Sequence, residues 1–141
     1  LNVGGNLIED FSLTFENGRV VALKAARGEA LLRAQVAMDE GAARLGEVAL
    51  VPHSSPISQS GILFYSTLYD ENASSHLALG RAYRNCIADC EDASDEEFAA
   101  RGGNTSALHL DFMVGSAEID IDGITATGER EPLMRHGEWA E

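Results

Sequence analysis

From Leu108 to Val114 the sequence reads LHLDFMV, and its period of two limits the fold more than any other feature. In a strand, successive side chains point to opposite faces. Leu108, Leu110, Phe112 and Val114 therefore form one apolar row, and His109 and Asp111 stand side by side on the other face. Such a row needs a core to cover it. A chain of 141 residues, 45% of them hydrophobic, is long enough to build one.

The rest of the chain mixes periods. Ile8 to Phe15 alternates and is followed by ENGRVVAL, where Asn17-Gly18 predicts a type I′ hairpin turn. Gly28 to Leu45 has helical spacing with a break at Gly41. GEVALVP predicts a buried strand ended by Pro52, and HSSPISQSG a loop. Ile62 to Leu68 is apolar and fits either a strand or a helix. DENASSHLALGRAY predicts a helix from about Asn72, with His76 and Tyr83 on one face. A short surface helix is expected at Ser94–Ala100, a strand at Glu118–Ile121 and a turn at Asp122-Gly123. The sum is an α+β class, a mixed sheet with hairpins and packed helices.

Charge excludes some functions. With 23 acidic and 10 basic residues the formal charge is -13, the wrong sign for nucleic acid or an anionic membrane surface. No apolar run approaches the ~20 residues of a membrane span. Cys86 and Cys90 are too few for a disulfide framework and are expected as reduced thiols in a cytoplasmic protein. LNVGGNLIEDFSLTF lacks an initiator Met and enters a strand pattern almost at once, as a piece of a longer chain would.

The chemistry gathers around a few residues. A bare H-x-D is also what an aspartate orienting a surface histidine looks like. Glu47, however, stands inside the apolar LGEVALV, where an ionised carboxylate is costly unless paired or metal-bound. Asp70 and Glu71 precede His76 in DENASSH, a place where acids often only cap a helix. Several carboxylates and two histidines in apolar settings form the donor mix of a two-metal site. His53, His136 and the alternating Glu118, Asp120 and Asp122 are weaker candidates, each equally at home on a solvated surface.

ARLGEVALVPHSSPI, FYSTLYDENASSHLALGRAY and NTSALHLDFMVGSAEIDIDG resemble the M29 metallo-aminopeptidases of the aminopeptidase T and aminopeptidase S type. The resemblance implies an exopeptidase that uses two divalent ions (Zn, Co or Mn) to release N-terminal residues from peptides. It implies a cytoplasmic homodimer acting on peptides with a free N-terminus. Carried over by motif, Glu47 would bridge the ions and Glu71, His76, His109 and Asp111 would complete the shell. Tyr83 would lie at the metals, its hydroxyl binding a ligand or stabilising the tetrahedral intermediate. The family has another glutamate ligand upstream of these blocks. Residues 1–141 are thus expected to be the metal-binding catalytic portion of a larger two-domain aminopeptidase, without its N-terminal domain and first ligand block.

Two rivals remain. A non-haem iron oxygenase uses H-x-D with a distant histidine, but only His136 follows here and jelly-roll strands between them are missing. Alternatively, the chain alone is an inactive module that binds metal and dimerises.

Overall fold

The structure is a computed structural model and describes residues 1–141. The chain opens with β1 (Asn2–Val3), β2 (Asn6–Leu7), β3 (Glu9–Glu16), β4 (Arg19–Arg27) and α1 (Glu29–Val36). Next come β5 (Leu45–Ala49), α2 (Pro56–Ser60), α3 (Thr67–Asp70) and β6 (His76–Gly80). It closes with α4 (Asp95–Ala100), β7 (His109–Met113), β8 (Ile121–Ile124), β9 (Arg130–Arg135) and β10 (Glu138–Trp139). This is an α+β chain in which several small sheets replace one large one: β1-β2, β3-β4, β5-β6-β7 and β8-β9-β10. No helix is long and apolar enough to cross a membrane. Two compact units form, one from residues 1–48 and 77–112 and the other from 49–76 and 113–141.

In the first unit, β3 and β4 form the hairpin expected at Asn17-Gly18. Both turn residues have positive φ, 50° and 74°, which the two central positions of a type I′ turn require. That tight turn sets Glu16↔Arg19 and Phe15↔Val20, and a bulge between Thr14 and Phe15 then shifts the register by one residue to Leu13↔Leu23. α1 lies against β4 and buries Leu32. Its Glu29 accepts the Ala25 N–H at 3.1 Å and pairs with Arg33 at 2.9 Å. Ile8, Leu23, Leu32, Leu79, Leu108 and Leu110 form the core, and Phe11 meets Phe112 edge-on at 5.7 Å.

The helix predicted from Gly28 to Leu45 stops at Val36, because Asp39 draws the following backbone elsewhere. Its carboxylate accepts Ala42 N–H (2.8 Å), Ala107 N–H (2.7 Å) and the Ser106 hydroxyl (2.8 Å). An aspartate that satisfies backbone donors in a turn competes with helix continuation. The same bonds fix the entry to β7. Its pKa is lowered by the Ala107 backbone bond first and then by Ser106.

β6 lies between β5 and β7, and its neighbours approach closely. Gly80 has φ +96°, and a Cβ there would sit 2.1 Å from Leu108 O; one on Gly46 would sit 2.2 Å from Gly80 O. Only glycine permits that approach. The helix predicted from about Asn72 through HLALGRAY is instead a 3₁₀ turn at Glu71–Ala73 followed by a strand at His76–Gly80. Leu and Ala favour helix locally, but the HLALG segment is buried between two strands, and tertiary packing overrides propensity.

In the second unit, Ser55 caps α2, a short helix within the predicted HSSPISQSG loop, by accepting Ser58 N–H. The Asp70 carboxylate accepts Phe64 and Ser66 N–H at 2.8 and 3.0 Å and holds the loop before α3. The strand expected at Glu118–Ile121 begins instead at Ile121 and includes Asp122-Gly123, which pair with β9. The predicted acidic strand face does not form. Asp120 accepts the His136 N–H at 2.8 Å, and Asp122 pairs with Arg130 and Arg135. A further hairpin, β9-β10, turns at His136-Gly137, both with positive φ. α4 is close to the helix expected at Ser94–Ala100, with Ser94 and Glu97 forming a capping box.

Candidate metal centre

His109 and Asp111 are the first and third residues of β7 and share a face, as the alternation predicts. Glu47 is the middle residue of β5, on the far side of β6. Side chains from two flanking strands must span roughly 9–10 Å to meet. β6 has the small residues Ala78 and Gly80, both buried, so a glutamate and a histidine can reach over it. His109 Nε2 lies 3.2 Å from Glu47 Oε2 and 3.1 Å from Asp111 Oδ1.

The other ring nitrogen of His109 is already engaged. Its Nδ1 is 2.7 Å from Arg81 O. A carbonyl can only accept, so Nδ1 carries the hydrogen and donates. Nε2 is therefore the ring nitrogen that faces the two carboxylates. Asp111 Oδ1 is buried and has no hydrogen-bond partner. An imidazole nitrogen and two carboxylates converge there, the donor types that hold a divalent cation.

The donor set fits a divalent ion. Two carboxylates and one imidazole, with ligand atoms within 4.8 Å of one another, suit Zn²⁺, Co²⁺ or Mn²⁺. The Arg81 carbonyl is the outer partner that holds a ligating histidine in one tautomer. Sequence reasoning missed it, since a backbone acceptor has no residue-type signature; its only trace is that Arg81 lies two residues before Tyr83.

Glu71 and His76 come together in the second unit, their ligand atoms within 4.8 Å of each other. Glu71 opens a single 3₁₀ turn, and His76 is the buried first residue of β6. His76 Nδ1 donates to Ser74 O at 2.9 Å, so Nε2 is its remaining nitrogen for a metal, as in His109. Tyr83 follows β6, half-exposed, with its ring 4.8 Å from that of His109. The pairing predicted between Tyr83 and His76 on a helix face is replaced by this contact.

The other candidates are ordinary. His53 is exposed and meets the Ser58 hydroxyl at 3.3 Å, and His136 occupies a turn. Cys86 and Cys90 are both free thiols, the first exposed and the second buried.

A chain with this fold and donor set has known relatives. The sequence pattern described as Peptidase_M29, thermophilic metalloprotease (M29), matches residues 1–139. The chain belongs to that family. It is 59% identical over 140 residues to aminopeptidase AmpS of Bacillus subtilis (strain 168), covering 99% of this chain and 34% of that protein. Aminopeptidase T of Thermus thermophilus is 49% identical over 139 residues, with the same 99% and 34% coverage. The solved structure of wild-type AmpT from Thermus thermophilus superposes with a TM-score of 0.89 at 47% identity, again over 99% of this chain and 34% of that one. The chain thus spans about a third of the length of these relatives.

Proposed function

We propose that this chain carries most of the dinuclear metal centre of an aminopeptidase that removes N-terminal residues from peptides. The observation that carries the reading is the buried Asp111 Oδ1, without a hydrogen-bond partner and 3.1 Å from His109 Nε2. The aminopeptidase names of the relatives supply the reaction class. Glu47 would bridge two divalent ions, with His109, Asp111, His76 and Glu71 as further ligands. When bound, the ions supply a polarised scissile carbonyl and a water of lowered pKa.

The chain's own groups do the rest. A carboxylate near the attacking water, Glu47 or the glutamate that the family carries upstream of these blocks, takes its proton and passes it to the leaving amine. The Tyr83 hydroxyl, on a ring packed against His109, donates to the oxyanion of the tetrahedral intermediate. The Arg81 carbonyl keeps the His109 imidazole from turning. The partners of this reading are peptides with a free N-terminus and a second copy of the protein, in the cytoplasm.

A second reading rests on length. Since the chain spans a third of its relatives, it can be a folded module that binds metal and dimerises without turnover. An aminoacyl chromogenic substrate with added Co²⁺ or Zn²⁺ separates the two. Release of chromophore that disappears in His109→Ala supports the enzyme. Turnover unchanged in that variant contradicts the assignment.

A further inference from the structure

Next to Tyr83, within the first unit, lies an open cleft of about 530 Å³ whose lining includes Arg81, Tyr83, Arg84, Phe98 and two carboxylates, Glu91 and Asp95. Its wall belongs to the same segment as the candidate centre. Arg81 N–H donates to Leu108 O and Ala82 N–H to Asn104 O, at 2.7 and 2.9 Å. Tyr83 lines the cleft and packs on the His109 ring. A peptide whose first residue is held at His109 has this cleft within reach of its second.

The charges sort themselves further. In a chain with 23 acidic residues, every arginine but two faces a carboxylate in an ion pair. Of those two, Arg44 donates to Asn17 O, whereas the Arg81 guanidinium makes no hydrogen bond or ion pair. Arg84, its neighbour in the cleft, is already committed to Ala93 O, Asp95 and the face of Phe98. An arginine left unpaired in so acidic a protein is a ready receptor for a carboxylate, which its planar fork can take with two parallel bonds.

We propose that the cleft receives the second residue of a short peptide and that Arg81 binds its free α-carboxylate, so that dipeptides are favoured substrates. The proposal rests on the aminopeptidase reading for its substrate class. It adds a specificity residue for the free end of the substrate, distinct from the groups that act on the scissile bond.

The test compares Leu-Gly with its C-terminal amide, binding each by calorimetry to the Zn²⁺-loaded chain and to Arg81→Ala and Arg81→Lys. The acid should bind about tenfold more tightly than the amide, as one exposed charge-assisted pair warrants. Arg81→Ala should remove that preference by weakening only the acid, and Arg81→Lys should keep part of it. Equal affinity for acid and amide in the unchanged chain overturns the proposal, as does a preference that survives Arg81→Ala. Acid-selective binding without hydrolysis would support the Arg81 subsite while telling against the aminopeptidase reading.

Discussion

Two aspartates in the first unit, at the turn of residues 39–43 and on β7, are surrounded in opposite ways. Asp39 accepts from two backbone N–H groups and the Ser106 hydroxyl, and those donors lower its pKa. Asp111 is more deeply buried, yet its Oδ1 has no hydrogen-bond partner and faces the Nε2 of His109. A carboxylate already matched to its donors is doing structural work. One whose neighbours are another carboxylate and an imidazole nitrogen has the surroundings of a metal ligand. The contrast teaches where to look: burial alone does not mark the site, but burial without donors does.

The sharpest way to break this comparison is to neutralise each acid. Asp111→Asn should weaken Zn²⁺ binding by at least roughly 100-fold, since even outer partners of metal ligands are worth about 10–100-fold. In the metal-free chain the same substitution should leave stability unchanged or raise it by about 1 kcal/mol, by relieving buried like-charge repulsion. Calorimetric titration and a thermal melt with chelator read the two effects. A marked fall in the metal-free melting temperature would erase the distinction between the aspartates.

Asp39→Asn should do the reverse. It removes acceptors that fix both the 3₁₀ turn and the entry to β7, so the melting temperature falls in the chelated chain. The number of Zn²⁺ ions bound by the folded protein should not change.

Acid adds a smaller, graded effect. The folded pKa of Asp39 lies below its ordinary 3.8, so its contribution to stability is present above that value. It is lost as pH falls through the folded pKa. Urea midpoints between pH 5 and 2.5 should therefore drop less steeply in Asp39→Asn than in the unchanged chain. Parallel curves would show that the Asp39 bonds contribute nothing.

The smallest effect is expected far from both acids. Asn17→Ala places a less tolerant residue at φ 50° in the β3-β4 turn and should cost about 1 kcal/mol by urea unfolding, with metal affinity unchanged. A loss of metal affinity here would mean that stability and binding cannot be read apart in this chain.

Much of this was legible in the sequence wherever the signal was local. Asn17-Gly18 specifies its turn by backbone preference, and the alternation in LHLDFMV places His109 and Asp111 on one face. Glu47 stood out because a carboxylate interrupts an apolar run. The spacing around His76 predicts a helix, since Leu77, Ala78 and Leu79 are good helix formers and only their burial between two strands makes them a strand. The stop at Val36 depends on Asp39 meeting Ser106 and Ala107, far along the chain. The contact of Tyr83 with His109 likewise depends on tertiary packing, which no spacing encodes.

The central claim is that Glu47, His109 and Asp111 hold metal, and counting ions tests it most directly. The chain is incubated with Zn²⁺ or Co²⁺, dialysed, and its metal measured per chain, alongside His109→Ala. Close to two ions are expected in the unchanged chain, with a clear loss in the variant. A chain that retains no ion, or one whose metal content His109→Ala leaves untouched, would contradict it.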